Sequence, residues 1–293
     1  LDDRRRPVST WLGGDLEIAS EGEIGLFIGC LPMFDVVFQN ELGVDSLEIA
    51  RAAIRILNRL GIAPVIVDHE VCCGHDLLWG GEREAFESLA RANCSQFRKR
   101  GIRHLLTVCA ECCRTWRLDY PEVDADYRPQ VEHMTEFLWR RVEAGELHFS
   151  QGDNGRVTFQ DPCRLGRQLG VIDEPRQLLQ AVPGIDLREM ERSGRDAQCC
   201  GTTGFVHCDA VSRRLQAQRL RSAADTGAER LLTACPKCLL HFCCARTEDH
   251  RRGRQTVDIE IEDLTVYLAD HLTAGESSHA EVGDPQTTTG EQP

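Results

Sequence analysis

The sequence predicts an α/β protein of two pseudo-symmetric repeats, each a small parallel sheet flanked by helices, with cysteine motifs at the strand ends. Three observations lead there. Two long segments match at an offset of about 127 residues. Within each, short apolar strand-like runs alternate with runs of helical periodicity, the order that builds parallel sheets. The cysteines recur in the same sequence in both: one alone, then Cys-Cys-Gly, then Cys-x-x-Cys.

Taken in order, residues 1–21 read as a linker and 22–152 as the first repeat. The repeat opens on Ile24-Gly-Leu-Phe-Ile-Gly-Cys30, a strand that ends in a lone cysteine. Leu47 to Leu60 places apolar residues at helical intervals and stops at Gly61. A strand is expected at Pro64-Val-Ile-Val67, then Cys72-Cys73-Gly74, then a helix from roughly Glu82 to Arg100 closed by Gly101. The strand Leu105 to Val108 delivers Cys109, which opens a Cys-x-x-Cys with Cys112. The second repeat, 153–272, carries Cys163 after the run from Arg156, then Cys199-Cys200-Gly201, then Cys235 and Cys238. Gly101-Ile-Arg-His-Leu-Leu-Thr-Val-Cys109 aligns with Gly227-Ala-Glu-Arg-Leu-Leu-Thr-Ala-Cys235. Residues 273–293 are polar and aperiodic and read as a disordered tail.

The spacings agree closely where it matters. Between Cys73 and Cys109 stand 35 residues, between Cys200 and Cys235 stand 34, while the lone cysteines are less evenly placed, 41 and 35 residues ahead of their Cys-Cys-Gly. Motifs at the carboxyl ends of parallel strands converge on one edge of a sheet, so three separated motifs are expected to meet at one point.

Composition bounds the function. The formal net charge of −13 sets the chain against nucleic acid and against anionic membrane surfaces. No apolar run approaches the roughly 20 residues of a spanning helix, and the chain reads as cytoplasmic, peripheral to a membrane at most through a partner subunit. The first residue is Leu1, so an upstream domain ahead of it is an open expectation. Fifteen cysteines without an export signal point to metal binding or catalysis rather than disulfides.

Each repeat offers five recurring thiols where a tetrahedral zinc site uses four, and this surplus favours a polynuclear iron–sulfur cluster. Gly74 and Gly201 suit a turn held against a bulky inorganic core. Structural zinc and a thioredoxin-like dithiol are the alternatives; the first lacks a second Cys-x-x-Cys within either repeat, and the second leaves three cysteines of each repeat without a role. Cys94, Cys113 and Cys208 have no counterpart in the other repeat and are expected to be packing residues, as are Cys243 and Cys244 on a helix-like run. His75 is a candidate proton donor to a substrate thiolate. Arg164 and Arg167 flank Cys163 and are candidates to offset cluster charge or attract an anion.

These motifs resemble the cysteine-rich domain pair found in the B component of heterodisulfide reductase and in related iron–sulfur subunits that serve glycolate, lactate and anaerobic glycerol-3-phosphate oxidation. The likeness spans about residues 24 to 245, with flanks such as Asp161-Pro-Cys-Arg-Leu-Gly166 and Cys235-Pro-Lys-Cys-Leu-Leu240. The resemblance implies two noncubane [4Fe–4S] clusters, the first on Cys30, Cys72, Cys73, Cys109 and Cys112, the second on Cys163, Cys199, Cys200, Cys235 and Cys238. It implies a small disulfide split between them, or two thiols oxidised. The chain departs from the family in carrying Thr202-Thr203-Gly204-Phe205 after its second Cys-Cys-Gly, and it lacks the ferredoxin-like Cys-x-x-Cys-x-x-Cys segments. Electrons are therefore expected from a ferredoxin-type [4Fe–4S] subunit or fused domain. The alternative function is a non-catalytic relay between a flavoprotein dehydrogenase and a quinone or membrane subunit. No flavin or nicotinamide site is expected, since neither a P-loop nor a dinucleotide fingerprint is present.

Overall fold

The computed structural model describes residues 7–152, 154–202, 209–251 and 257–273. Its strands form two parallel sheets, one to each repeat. In the first, β1 (Ile24–Phe27), β2 (His104–Thr107) and β3 (Gln130–His133) lie in the order β1-β2-β3. In the second, β4 (Arg156–Gln160), β5 (Asp186–Leu187), β6 (Arg230–Thr233) and β7 (Glu260–Asp263) lie in the order β5-β4-β6-β7. The registers correspond: Thr107 pairs with Phe27 and His133, and Thr233 pairs with Gln160 and Asp263. Leu105 and Leu106 on β2, and Leu231 and Leu232 on β6, are fully buried, as central strands covered on both faces require.

The helices follow from their apolar stripes. Asp45 caps the helix Ser46–Arg59 by accepting from the Glu48 amide at 3.1 Å, and Leu47, Ile49, Ile54 and Leu57 fill its inner face. The helix Arg83–Lys99 likewise buries Phe86, Ala90, Cys94 and Phe97. Pro64–Val67 differs from its expected strand. It adds only isolated parallel bridges from Val65 to Gly25 and Ala19. Pro64 has no N–H to give the ladder, and the Val67 carbonyl is already turned back to accept from the Glu70 amide at 3.0 Å.

From residue 7 the expected linker is laid against the first repeat. Val8 and Trp11 are buried on a short helix, Val8–Trp11, and the Val8 amide donates to Asp68 Oδ1 at 3.0 Å. Apolar side chains at these two positions give the segment surface to bury. Residues 1–6 lie outside the described residues, as do Cys208, the run 203–205 after the second Cys-Cys-Gly, and the expected tail beyond Thr273.

The two repeats exchange elements and share one hydrophobic core. The helix Met134–Glu143 packs on Asp173–Ala181 of the second repeat, and Leu264–Asp270 packs on Ser46–Arg59 of the first. The helix Ala110–Leu118, which carries Cys112, packs on Arg164–Leu169, a π-helix that follows Cys163. Symmetrically, Pro236–Arg251, which carries Cys238, packs on Leu31–Leu42, which follows Cys30. Each Cys-x-x-Cys helix therefore rests on the lone-cysteine segment of the opposite repeat.

Candidate metal centres

The expected cysteines sit just past the ends of parallel strands: Cys30 three residues after β1, Cys109 two after β2, Cys163 three after β4 and Cys235 two after β6. Cys30 Sγ lies 3.3 Å from Cys72 Sγ. Cys72 contacts Cys73, Cys73 contacts Cys112, and Cys112 contacts Cys109 through hydrogen bonds between their thiols. The second repeat repeats the order, Cys163 to Cys199 to Cys200, then 3.2 Å to Cys238 Sγ, then Cys235. One further hydrogen bond, between Cys109 and Cys235, joins the two sets across the repeat boundary. All ten sulfurs thus form one continuous run of contacts.

Backbone geometry fixes each Cys-Cys-Gly. The Gly74 amide donates to Cys72 Sγ and the Gly201 amide to Cys199 Sγ, each at 3.4 Å, with φ of +79° and +97°. In the first repeat, Asn93 Oδ1 accepts from the Val71 amide at 2.8 Å, and Tyr120 Oη donates to the Cys73 carbonyl at 3.1 Å. In the second, Ser212 Oγ donates to the Gly201 carbonyl at 2.6 Å. Glu70, fully buried, accepts from the amides of Ile28 and Gly29 at 3.1 and 2.5 Å, which holds the Cys30 loop beside Cys72.

Electrostatics sorts the thiols. Cys72 is held below the usual thiol range by donors from Cys30, Cys73 and the Gly74 amide, which outweigh its burial. Cys199 is lowered in the same way by Cys163, Cys200 and Gly201, and Cys109 by Cys112 and Cys235. Their donors, Cys30, Cys112 and Cys163, are pushed up. Cys94 and Cys113 stand apart: burial pushes both up to about 12. Cys243, buried on its helix, is pushed up to about 11 for the same reason.

Between the two sets lies a polar cluster that sequence reasoning assembled only in part. Lys237 Nζ, 7% exposed, sits 2.5 and 2.6 Å from the Asp76 carboxylate oxygens and 2.7 Å from Glu111 Oε2. His75 Nδ1 lies 3.2 Å from Asp76 Oδ1, and Arg164 Nε donates to His75 Nε2 at 3.0 Å. A guanidinium keeps its protons, so His75 Nε2 holds a lone pair and the ring proton sits on Nδ1, toward Asp76. His75, the candidate proton donor, forms part of this bridge between repeats. Arg164 also lies 3.8 Å over the ring of Trp79, while Arg167 donates to the carbonyls of Arg195 and Ala197 and stays exposed. His75, Asp76 and Glu111 place donor atoms within 4.8 Å of one another, as a metal ion would require. The cation they face is the Lys237 ammonium. The legible signal was charge: Glu111 and Lys237 are the third residues of the two Cys-x-x-Cys motifs.

The first sulfur set lines a partly open hollow with Ile28, Leu31 and Phe34 on its apolar side. A Cβ on Gly29 would stand 3.2 Å from Cys112 Sγ, within the space the sulfurs face. Five convergent thiols and a side-chain-free approach fit a thiolate-held cluster.

A family model described as a cysteine-rich domain, CCG, matches residues 24–116 and 157–243. The chain is similar to the D component of the dihydromethanophenazine:CoB–CoM heterodisulfide reductase of Methanosarcina barkeri, 32% identical over 269 residues, covering 89% of this chain and 62% of that protein. It is similar to the B component of the fumarate reductase (CoM/CoB) of Methanothermobacter marburgensis, 31% identical over 75% of this chain and 41% of the relative. It is also similar to the EtfAB:quinone oxidoreductase of Syntrophomonas wolfei, 28% identical over 76% of this chain and 31% of the relative. The chain therefore spans less than two thirds of the length of these relatives. Among the described residues no helix is long and apolar enough to cross a membrane.

Proposed function

The chain belongs to the CCG cysteine-rich domain family, and from that premise we propose that it is an iron–sulfur oxidoreductase subunit that reduces a small disulfide, or oxidises two thiols. The observation that supports this best is the pair of equivalent five-sulfur sets, joined through Cys109 and Cys235. Cys30, Cys72, Cys73, Cys109 and Cys112 would hold one four-iron noncubane cluster, and Cys163, Cys199, Cys200, Cys235 and Cys238 the other. Bound there, such clusters would supply reversible one-electron chemistry.

The chain's own residues supply order. Glu70, Asn93 and Tyr120 fix the backbone that presents Cys30, Cys72 and Cys73. Lys237 ties its motif to Asp76 and Glu111 and so sets the two sulfur sets against each other. Arg164 and Asp76 hold His75 as the Nδ1–H tautomer. Electrons would come from a ferredoxin-type [4Fe–4S] subunit or domain in the reducing cytoplasm, with any link to a membrane made by a partner.

A second reading is a relay without chemistry of its own between a flavoprotein and a quinone or membrane subunit. Similarity to the EtfAB:quinone oxidoreductase supports it. Anaerobic reconstitution followed by iron, sulfide and zinc analysis tests the cluster reading, and a colourless zinc protein would overturn it. Reduced viologen offered with a panel of low-molecular-weight disulfides then separates the two functions: turnover supports the reductase, while no turnover beside rapid exchange with a flavoprotein supports the relay.

A further inference from the structure

The two sulfur sets match in their cysteines and oppose each other in the charges around them. Against the first stand carboxylates of its own repeat. Glu70 is fully buried and accepts from the amides of Ile28 and Gly29 just ahead of Cys30. Glu111 lies between Cys109 and Cys112 and acts on Cys109 and, across the repeat boundary, on Cys235, and Asp76 acts on Cys72. The cation facing Asp76 and Glu111, Lys237, comes from the other repeat.

Against the second set stand mainly guanidinium groups, beside one buried carboxylate, Asp263, whose charge acts on Cys235. Arg164 follows Cys163 and donates to His75 Nε2, and among the described residues no carboxylate lies in ion-pair contact with it. Arg219 is 1% exposed and donates to the Gln160 side chain and, at 2.8 Å, to the Arg192 carbonyl. Its Nη2 has no partner among the described residues. Asp161, the acid whose charge acts on Arg219, is engaged at 2.8 and 3.0 Å by Arg176. The charge of Arg219 acts on Cys200 and Cys238, and that of Arg164 on Cys163 and Cys199.

We propose that this asymmetry orders the two centres in potential, so that a cluster held by the second set takes an electron more readily than one held by the first. Each reduction adds one negative charge to a cluster, drawn from an external low-potential one-electron donor. In a poorly screened interior a buried guanidinium favours that added charge and a buried carboxylate opposes it. Electrons entering the chain then come to rest on the second repeat, whichever cluster receives them first. The inference rests on the reading that both sets hold clusters.

A potentiometric titration of the anaerobically reconstituted chain, followed by electron paramagnetic resonance, tests it, with Cys109→Ser and Cys235→Ser assigning the signals. Two midpoints are expected, the second repeat's the higher. Arg219→Gln should lower that midpoint and leave the first in place. Arg164→Gln should do the same without removing a buried bond to Gln160, so it decides the matter if Arg219→Gln misfolds. Glu111→Gln should raise the first midpoint more than the second, since Glu111 sits between Cys109 and Cys112 and reaches only Cys235 of the other set. Equal midpoints, the reverse order, or both midpoints moving together in Arg164→Gln would overturn the ordering. Absence of iron and labile sulfide from the reconstituted chain would instead overturn the cluster reading itself.

Discussion

Glu111 and Lys237 occupy the same place in the two repeats, and their side chains meet, Oε2 to Nζ, at 2.7 Å. Each is the third residue of a Cys-x-x-Cys, so duplication has set one position negative in one copy and positive in the other. The pair lies on the line where Cys109 and Cys235 touch. Replacing Lys237 by Met should leave Asp76 and Glu111 without their shared cation. Because Asp76 is 31% exposed, the expected loss is about 1–3 kcal/mol rather than the full cost of a buried pair. Urea unfolding measures it, and the double exchange Glu111→Lys with Lys237→Glu should recover part of the loss.

Glu70 is expected to be a positioning residue. Truncation to Ala removes the acceptor for two amides at the base of the Cys30 loop and should cost about 2–3 kcal/mol. Iron bound by the first set should fall with it, while the second set keeps its iron in the same preparation. Glu70→Gln retains an acceptor and should lose less of both.

The two motif glycines should differ in tolerance. Both adopt positive φ, so an alanine at either costs about 1–2 kcal/mol from backbone conformation alone. At Gly74 the added Cβ meets the Phe86 ring at 2.8 Å, but at Gly201 it meets the Ser212 carbonyl oxygen at 2.6 Å. A ring can shift and a helix backbone cannot, so Gly201→Ala should lower the thermal midpoint more than Gly74→Ala.

Ligand and packing cysteines should separate in one assay. Cys73 hydrogen-bonds to the thiols of Cys72 and Cys112, whereas Cys94 is packed into the face of its helix and pushed up by burial. Cys73→Ser should remove most of the first set's iron and sulfide. Cys94→Ser should leave both unchanged, and equal losses would show that the division is wrong.

His133 gives a pH dependence of defined sign. Burial, with the Arg117 charge, lowers it from 6.5 to about 3. The unfolded chain then binds the proton that the folded chain refuses, so stability is full above about pH 6.5 and falls as pH drops toward 3. Moving from pH 7 to pH 5 should cost about 2 kcal/mol through this residue, at roughly 1.4 kcal/mol per unit. His133→Asn should remove that part of the slope when unfolding is followed by tryptophan fluorescence.

The amino-acid sequence by itself determined the duplication, the parallel α/β class, the helices Ser46–Arg59 and Arg83–Lys99 and the membership of ten cysteines in two recurring patterns. These are local facts: periodicity, a stop at glycine and a spacing survive in one dimension. Pro64–Val67 went differently because pairing depends on a neighbour as well as on β-propensity, and the neighbour found only Val65.

Tertiary structure alone decided what surrounds the sulfurs. Reciprocal packing of each Cys-x-x-Cys helix on the opposite repeat brings Cys109 to Cys235, joins His75 to Arg164, and buries Lys237 among acids from 126 and 161 residues away. Which charge faces which sulfur set is a property of that interface. Coulomb energy depends on separation in space and on burial, and neither quantity is written along the chain.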